Sequence, residues 1–403
     1  MIDKAAISAC RTGDGRAYAS AVTDAERYRL AFLDWLACAA RGVAEPAAQA
    51  ARAASDGLAG DVAAAGCAGH VLDYDDTYAA GLVHASAPVA PVALLLAAHR
   101  DQPIVAALAA HAAGFEATAA LARASHPALY ERGWHPTSVC GSVGAAVAAA
   151  QLLEVSPEQE QTAVALALVQ AAGLRAAFGT EGKALQVGLA AAAGMRAAQL
   201  AAAGARVPSG TVVPGFESAY GGTWEQPGRE PAIRENWIKA HPCCLMTHAA
   251  IDAAEELRTS GAVPDAGIVV VVHPTARRAA PYDAVADGLQ AKFSIPYTTA
   301  HTLLHGPPTV DSFATPDEAA AKLAERIGVR TDAGLGETEA RLESAGAIVA
   351  TVRHARGSPQ NPMDGQALAR KVERLAPGLS SMLDDPGAPA ARAVAAAGLA
   401  RSG

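Results

Sequence analysis

Val187-Gly-Leu-Ala-Ala-Ala-Ala-Gly-Met-Arg-Ala-Ala-Gln-Leu-Ala-Ala-Ala-Gly204 decides the fold. Alanine is the strongest helix former, and a run of it broken by Leu, Met, Gln, Arg and two Gly predicts a helix with small faces. Working outward, segments 24–41, 87–99, 103–125, 141–153 and 157–178 repeat this grammar at 3.6-residue spacing, with Gly or Pro between them. Ser156-Pro157-Glu158 reads as an N-cap, a proline at the first helical position and an acid in the first turn. Ala-rich faces allow helices to approach closely, so residues 20 to about 205 predict a compact all-helical bundle. The bias stops near 206. Residues 206–236 carry several Gly and Pro, with Phe216, Tyr220, Trp224 and Trp237 in or beside them, and read as a boundary loop. Beyond it, Ile268-Val-Val-Val-Val272 and 347–353 read as strands, with helices at 249–258, 297–305 and 316–326. Residues 365–375 and 389–401 read as helices, the last able to pack back on the bundle. The fold class is mainly α, with a smaller α+β part.

Composition narrows the function. Of 403 residues, 104 are Ala, the hydrophobic fraction is 51%, aromatics are 4% and charged residues 18%. A disordered chain is richer in charge and poorer in apolar residues. The longest apolar runs, 85–98 and 139–153, fall short of the ~20 residues that span a bilayer. The first ten residues contain Asp3 and Lys4 and lead into no apolar core, which predicts a soluble cytoplasmic protein without a signal peptide. About 400 residues predict two or more units. The net charge is −8 and no basic tract stands out, so neither nucleic acid nor a membrane surface is an expected partner. Cysteines 10, 38, 67, 140, 243 and 244 form no CxxC pair and read as reduced thiols. Six Lys stand against 26 Arg, a skew that makes each retained lysine worth weighing.

The densest polar cluster is His70-Val-Leu-Asp73-Tyr-Asp75-Asp76-Thr77. A helix here would set His70, Asp73 and Thr77 on one face. Three carboxylates and a histidine amid apolar sequence are costly to bury without partners. The bland reading is a helix N-terminus that favours acids. A Mg²⁺-diphosphate reading of the acidic run lacks an aromatic cavity, and Asp384-Asp385 is followed by Pro-Gly. Gly133-Trp-His135-Pro-Thr-Ser138 places a histidine in a loop before a helix, suited to proton transfer near neutral pH. His84 alone reads as a surface histidine. Gly179-Thr-Glu-Gly-Lys183 is no phosphate loop, because Ala177 and Ala184 stand where Gly and Ser/Thr belong. It leaves Lys183 as a point charge for a carboxylate. Lys239 precedes His241, Cys243, Cys244 and His248, whose adjacent cysteines are the wrong spacing for structural zinc. Tyr297, near Lys292, reads in isolation as a core phenol. GxSxG, HExxH and GxGxxG are absent.

Taken together, His70-x-x-Asp73-Tyr-Asp75-Asp76-Thr77 with His84, Gly-Trp-His135-Pro-Thr, Lys183, Lys239-x-x-Pro-Cys-x-x-x-x-His248, Phe293-Ser-x-x-Tyr297 and Asn361-Pro-Met-Asp…Lys371 resemble the MmgE/PrpD family. The likeness covers most of the chain in order. The family includes 2-methylcitrate dehydratase, cis-aconitate decarboxylase, alkylcitrate dehydratases and iminodisuccinate epimerase. The resemblance implies a helical domain over 1–238, with 377–403 returning to it, and an α+β lid over 239–376. It also implies a homodimer, a site between the domains, and no metal or organic cofactor. The sequence departs from the family pattern at His84-Ala-Ser, where His-Pro-Ser is usual, and in a stretch missing before Ala63.

Carried over, the resemblance assigns Asp73, Thr77, His84, His135, Lys183, Lys239 and Tyr297 to the pocket. Lys183 and Lys239 would clamp carboxylates, and His84 would move the proton. His135 and Tyr297 would assist the leaving group or protonation, Asp73 would orient a histidine or lysine, and Thr77 would hydrogen-bond substrate. The expected activity is a cofactor-independent lyase on a small di- or tricarboxylate, with dehydration of a 2-methylcitrate-like or alkylcitrate-like hydroxy acid first. Cis-aconitate-type decarboxylation and epimerisation next to a carboxylate use the same parts. A helical binding protein without catalysis is the alternative of another class.

Overall fold

The computed structural model describes residues 22–54, 56–223, 230–264 and 267–400. Cys10, Trp224 and the residues read for a signal peptide lie outside the described residues. The long helix Gly182–Ala202 sits at the centre of the bundle, packed on Pro136–Leu152 and Gly57–His70. Close approach depends on missing side chains. A methyl group on Gly188 would collide with the Ala63 carbonyl oxygen, and one on Gly194 with that of Ser142. Around this centre lie Asp24–Gly42, Ser86–His99, Ile104–Ser125 and Pro157–Gln170. Ser156 caps the last of these in a reciprocal box with Gln159.

Among the described residues one helix, Ile104–Ser125, is long and apolar enough to cross a membrane, and 56% of its apolar window is buried inside the fold. His111 and Glu116 interrupt its apolar run, which is why counting uninterrupted residues passed over it.

The α+β part has its own core, built on a four-stranded sheet in the order Ile327–Thr331, Ile268–Val272, Ala340–Ser344, Ala347–Val352. These strands are β3 (Ile268–Val272), β4 (Ile327–Thr331), β5 (Ala340–Ser344) and β6 (Ala347–Val352). β3 pairs in parallel with β4 and antiparallel with β5. Helices His248–Ser260 and Ile295–His305 pack together beside it, the former against β5 and β6. Two short strands, β1 (Thr77–Tyr78) and β2 (Asn236–Trp237), pair antiparallel and clip the acidic segment to the boundary region.

Three expectations change. The boundary loop contains a helix, Ser209–Tyr220, which runs through Pro214 and buries Phe216. β4 and β5 join the two expected strands. The return to the bundle starts earlier than 377: helix Gly365–Leu375 places Leu368, Val372 and Leu375 in the bundle core against Asp24–Gly42. Its apolar stripe would suit either core, and Lys371, reaching the buried Asp34 at 2.6 Å, selects the bundle.

Candidate active site

Helix Gly57–His70 stops at His70, and a buried loop follows to β1. Asp73 takes φ 53°, in the left-handed region that a short polar side chain tolerates. The turn overturns the expectation of one helical face for His70, Asp73 and Thr77, since only His70 is helical. The bland alternative is also reversed: the acids follow a helix C-terminus.

Lysines hold this loop. Lys292 Nζ donates to the carbonyls of Val71 (3.2 Å) and Leu72 (3.1 Å), Lys239 Nζ to that of Asp73, and Lys371 Nζ to that of Tyr74 (2.7 Å). Four successive carbonyls are thereby each capped by an ammonium. Lys371 also donates to the Lys239 carbonyl at 3.1 Å. Burial pushes the Asp34 carboxyl up to about 6 against the pull of Lys371. Burial likewise works against the Lys371 ammonium, but Asp34 outweighs it and holds it above its ordinary range.

The Asp73 carboxylate meets Lys239 at 2.9 Å, Lys183 at 3.3 Å and His84 Nε2 at 3.5 Å. Burial alone would raise it; the two ammoniums prevail and hold it well below the usual carboxylate range. Asp75 sits between two imidazoles, with His70 Nδ1 at 2.9 Å and His84 Nδ1 at 3.1 Å from Oδ2. It too stays well below the usual range, because those rings outweigh its burial. Asp76, bonded by Asn236 Nδ2, is pushed well above the usual carboxylate range by burial and by Asp34 and Asp75.

These contacts fix the tautomers. Lys183 Nζ lies 2.8 Å from His70 Nε2 and must be the donor, so the His70 proton is on Nδ1, facing Asp75. Burial holds His70 down to about 4 and lowers His84, so both rings are neutral near pH 7. His84 then donates from Nδ1 to Asp75 and keeps a lone pair on Nε2. His135 is the opposite. The Leu174 N–H donates to Gln186 Oε1 at 2.8 Å, which orients the amide so that Gln186 Nε2 donates to His135 Nδ1 at 2.7 Å. His135, held well below the usual imidazole range by burial and then by Lys183, therefore carries its proton on Nε2.

A cleft of about 430 Å³ opens here between the two cores. Asp73, Thr77, His84, His135, Thr137, Phe178 and Lys183 line one side; Cys244, Leu245, Met246 and Phe293 line the other. Lys183 spends two of its three N–H bonds on His70 and Asp73 and has one for a ligand. Phe178 and Phe293 each place a ring 5.6 Å from its ammonium.

Five of the seven expected residues, Asp73, Thr77, His84, His135 and Lys183, therefore share the cleft. Lys239 does not line it: fully buried behind Asp73, it serves the loop. Tyr297 also lies elsewhere, in the sheet-side core, with its hydroxyl accepting from the Asp317 N–H at 2.8 Å. Sequence reasoning missed Asp75 and Gln186. Asp75 stood in the quoted cluster, whereas nothing in the spacing marks Gln186. The His241/Cys243/Cys244/His248 group is occupied internally: His241 bonds Asp252 at 2.9 Å and His248 the Cys243 carbonyl at 3.3 Å. Burial keeps both thiols protonated, pushing Cys243 up to about 12 and Cys244 to about 11. The potential ligand atoms of His70, Asp75 and His84 lie within 4.8 Å of one another. There, both imidazoles direct Nδ1 protons at the one carboxylate, a hydrogen-bonded clasp.

Two units thus enclose a cleft whose wall carries two imidazoles of opposite tautomer. The chain belongs to the MmgE/PrpD family, matching its N-terminal domain over residues 17–220 and its C-terminal domain over 241–383. It is 30% identical over 166 residues to a cis-aconitate decarboxylase of Aspergillus terreus, covering 36% of this chain and 33% of that protein. It is 32% identical over 232 residues to the cis-aconitate decarboxylase-like protein oryM of Aspergillus oryzae, covering 50% and 46%. The matched stretches thus span between a third and a half of these curated relatives.

Proposed function

We propose that this chain is a cofactor-independent lyase acting on a small di- or tricarboxylate, and that its reaction is dehydration of a 2-methylcitrate-like or alkylcitrate-like hydroxy acid. The observation that carries this reading is the pair of opposite tautomers facing one cleft. Elimination of water needs a base for the C–H and an acid for the departing hydroxyl. His84 Nε2 takes the proton from the carbon next to a carboxylate. The electron pair forms the C=C bond, and the hydroxyl, polarised by a hydrogen bond from His135 Nε2–H, leaves as water with the proton that His84 took, which returns both rings to their neutral state. The remaining N–H of Lys183 holds a substrate carboxylate and steadies the charge that builds on it, as a preorganised cation does. Thr77, on the same wall, hydrogen-bonds substrate. Asp73 and Lys239 act behind them as positioning residues. A homodimer is part of the proposal, and sedimentation tests it.

Decarboxylation of a cis-aconitate-type acid is the second reading, favoured by the names of the two Aspergillus relatives. There the carboxylate leaves as CO₂ and His135 protonates the carbon. Incubation with 2-methylcitrate, citrate and cis-aconitate, following the absorbance of C=C bonds and release of CO₂, separates the two. New absorbance without CO₂ is the expected result; CO₂ from cis-aconitate selects the second reading. Silence on all three removes both for these acids. EDTA-treated protein should keep its rate, because the clasp around Asp75 is held by hydrogen bonds.

A further inference from the structure

Behind the acidic loop lies a second groove, enclosing about 1320 Å³, larger than the first. Arg370 and Arg374 line it from helix Gly365–Leu375, Arg41 from the end of helix Asp24–Gly42, and Arg356 from the segment after β6. Lys371 and Tyr74 form part of its wall. The lid residues 307–311 close another side. Arg41 is neutralised by Glu45 at 3.2 Å and Asp311 at 3.6 Å. The guanidiniums of Arg356, Arg370 and Arg374 form no ion pair within 4.0 Å among the described residues, although the Arg356 backbone N–H donates to Asp252 Oδ2 at 2.6 Å and its charge acts on Asp252 and Glu255; Lys371 is matched by Asp34. His241, also on the wall, is held neutral by burial against the pull of Asp252.

Three guanidiniums without an ion pair on one concave wall, two of them on a single helix face, run against the rest of a chain with net charge −8. Like charges gathered in a cleft repel one another and concentrate positive potential inside it. A guanidinium presents a planar fork that matches carboxylate and phosphate oxygens bidentately. The front cleft, with one spare lysine N–H and two aromatic rings, has nothing of this kind.

We propose that this groove is a second anion-binding site, for a small polyanion bearing several carboxylates or phosphates, separate from the front cleft. Its occupant is held by Arg370 and Arg374 from the bundle and by Arg356 from the sheet side. It lies against Lys371 and Tyr74, on the reverse of the loop whose other side carries Asp73.

The test is calorimetric titration of the whole protein with inorganic pyrophosphate and, separately, with tricarballylate. Both the wild type and Lys183→Gln should bind at least one of the probes with similar affinity, more weakly as salt rises. Arg370→Glu/Arg374→Glu should weaken that binding at least tenfold, as should Arg356→Glu on its own segment, and both variants should keep the wild-type circular dichroism and melting temperature. The stronger probe tells phosphate from carboxylate chemistry. Binding lost in Lys183→Gln but kept in the arginine variants would place the anion in the front cleft and overturn the proposal. So would no heat from either probe at millimolar concentration. A change of sedimentation mass in the double variant, with probe binding unaltered, would make the groove an interface between copies instead.

Discussion

Lys183 donates to His70 Nε2 at 2.8 Å, and because an ammonium has no lone pair this one contact removes His70 from the list of bases. The ring's other nitrogen is spent on Asp75. His84 shares that carboxylate but keeps Nε2 free for proton transfer. His84→Ala should therefore lower kcat by roughly 10²–10⁴-fold, the usual worth of a positioned acid or base. His70→Ala should act mainly through KM, by releasing Lys183. Steady-state kinetics of the two variants checks this, and equal losses in kcat would reject the assignment.

Asp75→Asn tests the tautomers themselves. The amide offers N–H donors where a carboxylate accepted, so His84 would turn its lone pair toward residue 75 and carry its proton on Nε2. A ring protonated there cannot take a proton from substrate. The expected outcome is a loss of kcat comparable with His84→Ala in a folded protein. Nitrogen chemical shifts of the imidazoles read the tautomer directly.

The pH dependence of rate follows from the lowered His84. The base works only when neutral, so kcat/KM should be flat through neutrality and fall as pH drops below the ordinary imidazole range. A profile falling already at pH 7 would contradict a depressed imidazole.

Stability has its own window. His70 is held near 4 and His111 near 3 by burial, against an ordinary value of 6.5. Between about 6.5 and 4 the unfolded chain binds these protons and the folded chain does not. Their contribution is complete above 6.5 and is lost as pH falls through the window. Asp34, raised to about 6, and Asp76, raised by burial, work in the opposite sense, against His70, His111 and the other buried histidines that burial lowers, His84, His135, His241 and His248. The urea midpoint should drop steadily from pH 7 to pH 4.5.

Removing Lys371 leaves the buried Asp34 alone. Lys371→Met should cost about 3–5 kcal/mol, the range for breaking a buried ion pair from one side. Asp34→Asn in the same chain should recover part of it. Chemical denaturation of the single and double variants measures both.

The helices were legible because Ala-rich stretches between Gly and Pro leave little alternative. Ser209–Tyr220 was hidden by Pro214, which argues locally for a break that packing overrides. β5 was hidden by Arg341 and Glu343, although Ala340, Leu342 and Ser344 alternate inward as a half-buried strand should. At the site, the polar residues that interrupt the alanine background are the ones found around the cleft. Their directions were not legible. Spacing suggested a helical face where Asp73 turns left-handed, and could not show that Lys239 faces the back of the loop or that Tyr297 spends its hydroxyl on Asp317. Asp75 clasps two rings from different turns of chain, a relation no local pattern encodes.

The lysine caps over residues 71–74 also set an order in time. Lys371 reaches a carbonyl 297 residues earlier in the chain. At roughly 5–20 residues per second of synthesis, that carbonyl waits about 15–60 s for its partner. A ribosome-bound chain that has already made His84, His135 and Lys183 still lacks the ammonium that fastens the loop they share. The finished cleft thus waits on helix Gly365–Leu375, made after every residue that lines it, and a nascent chain holds its polar parts without their final arrangement.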